Sequence, residues 1–303
     1  MCRVVIKLNS RFKAFVMSVI FIFCIFTSLG FTICSVRVLN ENGETIKSYY
    51  STADITTALS RAFDYTNKNA NNNNILTVKI SKGTYNVKST VHLSSYTVVD
   101  LNYSVIKNAN FKRGNIFKSP EDKIYPRYSS LTQCSIINGT LDGNYNRNRS
   151  CILRLCHSNN IKIYNVTFLN NYFSHHAELA ACQNVTFFNC TFNGQVSDLN
   201  ISSSEAIQID ILDRIHFYGF TSYDNTMNDN ITIEKCTFKN VYRGVGTHNY
   251  FKDMYQTNIT IIDCTFQNIT DCAISAVNFK NIKFTNNKFL NCKYSAFYRD
   301  NGK

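Results

Sequence analysis

Five segments in the second half of the chain align without gaps: NIKIYNVTFLN from Asn160, NVTFFNCTFNG from Asn184, NITIEKCTFKN from Asn230, NITIIDCTFQN from Asn258 and NIKFTNNKFLN from Asn281. They share N-[VI]-[TK]-[IF]-x-x-[VCN]-[TK]-F-x-[NG], and their starts are 24, 46, 28 and 23 residues apart. A constant short motif at variable spacing marks a solenoid with loops inserted into some of its coils. Within each motif apolar and polar residues alternate, break at x-x, and resume, which reads as strand, corner, strand. No run keeps a 3.6-residue period long enough for a helical repeat. Coils stacked about 4.8 Å apart place Val166, Cys190, Cys236, Cys264 and Asn287 in one interior ladder and Phe168, Phe192, Phe238, Phe266 and Phe289 in another. The ladder cysteines read as small buried apolar groups, with a bridge between adjacent coils as the alternative.

Composition agrees. Of 303 residues 44% are hydrophobic, 14% aromatic and 17% charged, which excludes a disordered chain. Eleven Gly and two Pro exclude a collagen-like one. Ten N-x-[ST] sequons fall mostly inside the repeat, where Asn opens a strand, and read as part of Asn- and Thr-rich coils.

Residues 1–13 carry Arg3, Lys7, Arg11 and Lys13 and no acid, and residues 14–34 are uncharged and mainly apolar. A basic flank before such a run is an export signal or an uncleaved membrane anchor, so residues 1–34 are expected to direct the remainder to the outside, secreted or on the cell surface. Without them, 28 basic residues face 20 acidic ones. An exported basic surface suits an anionic partner such as an acidic polysaccharide; no nucleic-acid module is present, and none is expected as a partner. Three of the 12 cysteines (Cys2, Cys24, Cys34) fall in the export segment, and the nine that follow form no C-x-x-C pair.

The repeat resembles the right-handed parallel β-helix of the pectin lyase-like superfamily, over roughly residues 50–303. DITTAL from Asp54 opens an amphipathic helix, expected near 54–69 with Asp54 as N-cap; the resemblance implies that it plugs the open end of the stack. VKISKGTYNV (78–87) and VHLSSYTVVDL (91–101) resemble the early coils of that superfamily, and INGTLDG (137–143) resembles a turn of its polygalacturonase-like members. The expected fold is therefore all-β: one parallel β-helix domain over 35–303 with an N-terminal capping helix. The chain ends in a strand without a capping element, so further chain, a partner or another copy is expected to cover that open coil.

The resemblance implies an active surface on one parallel sheet, here the strand before each motif: 152–156, 176–180, 206–210, 244–248, 273–277 and 296–300. Alternation points Leu153, Ala177, Ile207, Val245, Ile274 and Phe297 inward. The outward middle column is then Arg154, Glu178, Gln208, Gly246, Ser275 and Tyr298, and the outward end column Cys156, Ala180, Asp210, His248, Val277 and Asp300. His176 heads a third column, with Glu205 and Arg243 just ahead of their strands. Two carboxylates, a histidine and an arginine beside small residues suit acid–base chemistry on a polysaccharide. Asp210 is assigned as the main catalytic carboxylate, with His248 beside it to tune or relay its proton, and Glu178 as the second carboxylate; Arg154, His176, Gln208, Glu205, Arg243 and Tyr298 are assigned to substrate. Polygalacturonase-like hydrolases carry N-T-D, D-D, G-H-G and R-x-K motifs; this chain has the order Glu178, Asp210 and His248 in a G-V-G-T-H context, without N-T-D, D-D or R-x-K. The leading expectation is a glycosidase without a cofactor. The alternatives are a lyase with calcium on Glu178, Gln208 and Asp210, and a non-catalytic adhesive surface protein.

Overall fold

A computed structural model of the chain describes residues 33–299 except 110, 113, 149, 197–203 and 215–221. Residues 1–32, which carry nearly all of the proposed export segment, lie outside the described residues. Cys34, the last residue assigned to that segment, is the buried first residue of a strand, Cys34–Leu39. Among the described residues no helix is long and apolar enough to cross a membrane.

Each coil contributes up to three straight segments, and each segment stacks in parallel register on its counterpart in the next coil. The first half of the motif builds one stack, in which Ile161, Val185, Ile231, Ile259 and Ile282 follow one another. The second half builds another, with Phe168, Phe192, Phe238, Phe266 and Phe289 in line. The phenylalanine rings are stacked with centroids 4.8 Å apart along Phe168–Phe192–Phe238–Phe266 and 5.4 Å apart at Phe289. The chain is thus a right-handed parallel β-helix, filled by a continuous column of aliphatic and aromatic side chains. Cys190, Cys236 and Cys264 lie in that core as free thiols.

The asparagines have a backbone reason. At motif positions 1, 6 and 11 the chain turns through a left-handed residue: Asn160, Asn165 and Asn170; Asn184, Asn189 and Gly194; Asn230, Lys235 and Asn240; Asn258, Asp263 and Asn268; Asn281, Asn286 and Asn291. Asn tolerates this conformation better than any residue but Gly. Its amide then links coils: Asn240 Nδ2 donates to Asn193 at 2.9 Å, Asn268 to Asn240 at 3.0 Å and Asn291 to Asn268 at 2.9 Å. Sequon asparagines sit in the same ladders, with Asn184 donating to Asn159 and Asn230 to Asn184.

The N-terminal end is closed by more than the expected helix. The helix runs Thr56–Asn69 and buries Ala58, Leu59, Ala62 and Phe63 in the solenoid core. Its N-cap is Ile55 rather than Asp54; the Asp54 carboxylate accepts from the Thr56 N–H (3.0 Å) and hydroxyl (2.6 Å), one residue outside the cap. Beside it, Cys34–Leu39 and Thr45–Ser51 form an antiparallel hairpin that pairs with Leu76–Ile80 and caps the edge of the first coil.

Candidate functional site

The strands ahead of the motifs form the third stack. Its middle column runs His92, Lys118, Arg154, Glu178, Gln208, Gly246, Ser275 and Phe297. Arg154, Glu178, Gln208, Gly246 and Ser275 thus occupy the places read from the sequence. The last coil does not. An irregularity between Ile269 and Cys272 shifts the register by one residue, so Phe297 stands beside Ser275 and Tyr298 beside Ala276. Tyr298 therefore leaves the predicted column, since a one-residue slip exchanges the faces of a strand.

Arg154 Nε and Glu178 Oε2 form an ion pair of 2.5 Å, buried among Cys151, whose thiol donates to the same carboxylate oxygen at 3.2 Å. Burial, reinforced by the charge of Glu178, pushes that thiol up to about 12. One coil on, Asp210 is fully buried. Its carboxylate accepts from Gln208 Nε2, Asn249 Nδ2 and the Ile211 N–H, each at 2.8 Å. Burial and the charge of Glu178 raise it to about 6, against those hydrogen bonds and the charge of His248.

His248 does not pair with Asp210 as expected. The ladder ends at Gly246, where the backbone has φ +146, and His248 turns back to Glu205, with Nδ1 at 3.0 Å from Oε2. Glu205 is the centre of the network. It begins a strand, Glu205–Asp210, and stands in register with Arg243. Arg243 Nη1 donates to it at 3.1 Å and Arg243 Nε donates to Asp271 at 2.6 Å. Burial alone would raise Glu205, but His248, His175 and Arg243 together outweigh it and hold the carboxyl at about 2. The same carboxylate raises His248 against its own burial.

His175 and His176 exchange the roles that alternation assigns. A bend at 173–176, with Phe173 at φ +49, precedes the strand Ala177–Phe188. His176 turns inward and packs edge-on against Phe192, near the backbone of Asn193 and Gly194 but without a well-formed hydrogen bond. Burial lowers it to about 3, which keeps it neutral and removes it from the set of substrate ligands. His175 takes the outward place: its ring stacks on His248 at 6.2 Å and its Nδ1 is 3.6 Å from Glu205 Oε2. The sequence reading missed His175 because the bend breaks the alternation. It also missed Lys118 and Asp271, for which carrying the column to the neighbouring coils would have sufficed.

The end column is largely covered. Cys156, Ala180 and Ala181 lie under Leu212 and Tyr223 of the long insertion. Tyr223 thus packs on the fold, and His216, Phe217 and Tyr218 lie outside the described residues. Ser222 and Asp224 tie the insertion to an earlier loop, through Tyr125 O (2.9 Å) and the Arg127 N–H (2.9 Å).

Calcium does not fit the proposed donors. Glu178 faces a guanidinium, Gln208 presents its amide nitrogen to Asp210, and among the described residues no group of three or more His, Cys, Asp or Glu can hold a metal ion. A cleft of about 430 Å³ opens instead beyond Glu205, lined by Arg243, His248, Asp271, Ser275, Phe297 and Arg299 among others.

Stacked parallel coils, left-handed asparagine corners and a polar strand face define a β-helix protein with a candidate binding face. A family model described as "Right handed beta helix region" matches residues 150–303, just over half of the chain, and the chain belongs to that family. It is 29% identical over 202 residues to "Plasmin and fibronectin-binding protein A" of Streptococcus pneumoniae, covering 56% of this chain and 28% of that protein. It is also similar to two crystal or solved structures of PfbA, described as a surface adhesin of Streptococcus pneumoniae: each has a TM-score of 0.68 and 26% identity over 78% of this chain, covering 59% and 63% of the respective relatives. The chain thus spans less than two thirds of the length of these relatives.

Proposed function

We propose that this is an exported, cell-surface β-helix protein that binds a polysaccharide on its third strand face without cleaving it. The observation that carries the reading is the state of the carboxylates. Glu205 and Asp210 are fully buried, Glu178 nearly so, and each is held by the side chains described above. A network saturated in this way fixes the shape of a surface; it presents no carboxylate to a glycosidic oxygen. The similarity to a protein described as a surface adhesin supports the same reading. The test is a panel of acidic and neutral polysaccharides, with plasmin and fibronectin included because a relative carries those names. Binding to a polysaccharide without new reducing ends or unsaturated uronates is expected. Release of either product would replace binding by hydrolysis or β-elimination.

One observation favours hydrolysis as the second reading. Asp210, raised to about 6, keeps its proton at mildly acidic pH, and a carboxyl raised in this way is what a glycosidase uses as its general acid. In that case the insertion around Leu212 and Tyr223 must open, and Asp210→Asn must lower turnover by about 10²–10⁴-fold.

A further inference from the structure

We infer that the cleft between His248 and Arg299 is the binding site for one sugar residue that carries an anionic oxygen group, a reading that rests on the polysaccharide-binding function proposed above. Two arginines line this cleft, and they differ in what they face. Arg243 is neutralised by Glu205 and Asp271. Arg299 forms no ion pair among the described residues; its guanidinium lies over the Tyr250 ring at 4.6 Å, which orients the group and leaves its charge uncompensated. His248 is fixed through Nδ1 by Glu205, and its Nε2 makes no hydrogen bond among the described residues. The cleft therefore holds two donors with positive character, while its carboxylate, Asp271, is engaged with Arg243.

The same cleft has an apolar wall. Val277, Ala296 and Phe297 contribute it; Gly246, which precedes Ser275 in the outward column, lets that coil approach closely, since a Cβ there would come within 2.0 Å of Ser275 O. Phe297, placed next to Ser275 by the register shift, is half exposed and presents its ring. An aromatic ring beside a guanidinium and an imidazole matches a pyranose with an apolar face and one anionic substituent. A volume of about 430 Å³ is more than a small inorganic anion needs and lies in the range of small-molecule sites. A carboxylate and a sulfate ester share the chemistry that Arg299 recognises.

The test titrates the full chain calorimetrically with three oligosaccharides of equal length: carboxylated, O-sulfated and neutral. At least one charged oligosaccharide is expected to bind about tenfold or more tightly than the neutral one, and which one identifies the substituent. Arg299→Gln is expected to abolish that preference, and Phe297→Ala to weaken all three alike. Both side chains are exposed, and equal thermal unfolding of the variants confirms that the fold is kept; should Phe297→Ala not fold, Arg299→Gln decides alone. Equal affinity for charged and neutral ligands, or a preference that survives in Arg299→Gln, overturns the site while the surface-binding function stands. A wild-type chain that binds none of the polysaccharide panel removes that function and this site with it.

Discussion

The same coils carry two faces that obey different rules. On the stacks built by the motif, each coil repeats its neighbour: Phe lies on Phe, Ile on Ile or Val, and Asn is bonded to Asn at the corners. On the third stack no residue of the outward column is repeated; Lys118, Arg154, Glu178, Gln208, Gly246 and Ser275 succeed one another. Repetition satisfies packing and hydrogen bonding coil by coil with the same local solution, so it is where stability resides. The unrepeated face carries buried charges whose desolvation costs as much as their pairing returns. At the edge of that network lies the cleft lined by Arg243, His248, Asp271 and Arg299.

The sharpest way to break this contrast is Phe238→Ala, in the middle of the ring column. A cavity between Phe192 and Phe266 is expected to cost about 3–5 kcal/mol in denaturant unfolding. A loss below about 1 kcal/mol would mean that the ladder does not carry the fold.

On the other face, Glu205→Gln is expected to cost about 3 kcal/mol near neutral pH, because Arg243 and His248 lose their shared carboxylate. The sign of its pH dependence follows from the shift. With the folded group at about 2 against an ordinary 4.5, its contribution is full above 4.5 and is lost as pH falls through 2. The variant should therefore approach the wild type in strong acid, and a constant deficit at all pH values would remove Glu205 from the centre of the network.

Asp210 behaves in the opposite sense. Raised from 3.8 to about 6, it favours the fold fully below 3.8 and loses that contribution as pH rises through 6. Asp210→Asn should flatten the fall in unfolding temperature between those two values. An unchanged pH profile would mean that Asp210 is not the group that titrates there.

Smaller effects sharpen the comparison. Asn240→Ala, at a corner with φ +52, should cost about 1–2 kcal/mol, and Asn240→Gly should recover part of it. Tyr298→Ser should change stability by less than about 0.5 kcal/mol and leave saccharide binding unaltered, whereas Phe297→Ala weakens it. The reverse pattern would restore the register read from the sequence.

The solenoid, its two interior ladders, the capping helix and five members of the polar column were legible in the sequence because stacked coils make neighbours of residues that share a motif position. What the sequence left open follows from single-residue events. A bend at 173–176 sends His176 into the core and His175 outward, and an irregularity after Ile269 exchanges Tyr298 for Phe297. Side-chain alternation has a period of two, so one residue reverses it, and no local pattern announces the reversal. The partner of His248 was equally out of reach: Asp210 and Glu205 both lie within its reach along the chain's columns, and only the turn after Gly246 selects Glu205. Sequence determined which residues share a coil position, because that depends on a repeated local geometry; tertiary structure alone decided which of them face solvent and which face each other, because burial and hydrogen bonding depend on the whole surroundings of each side chain.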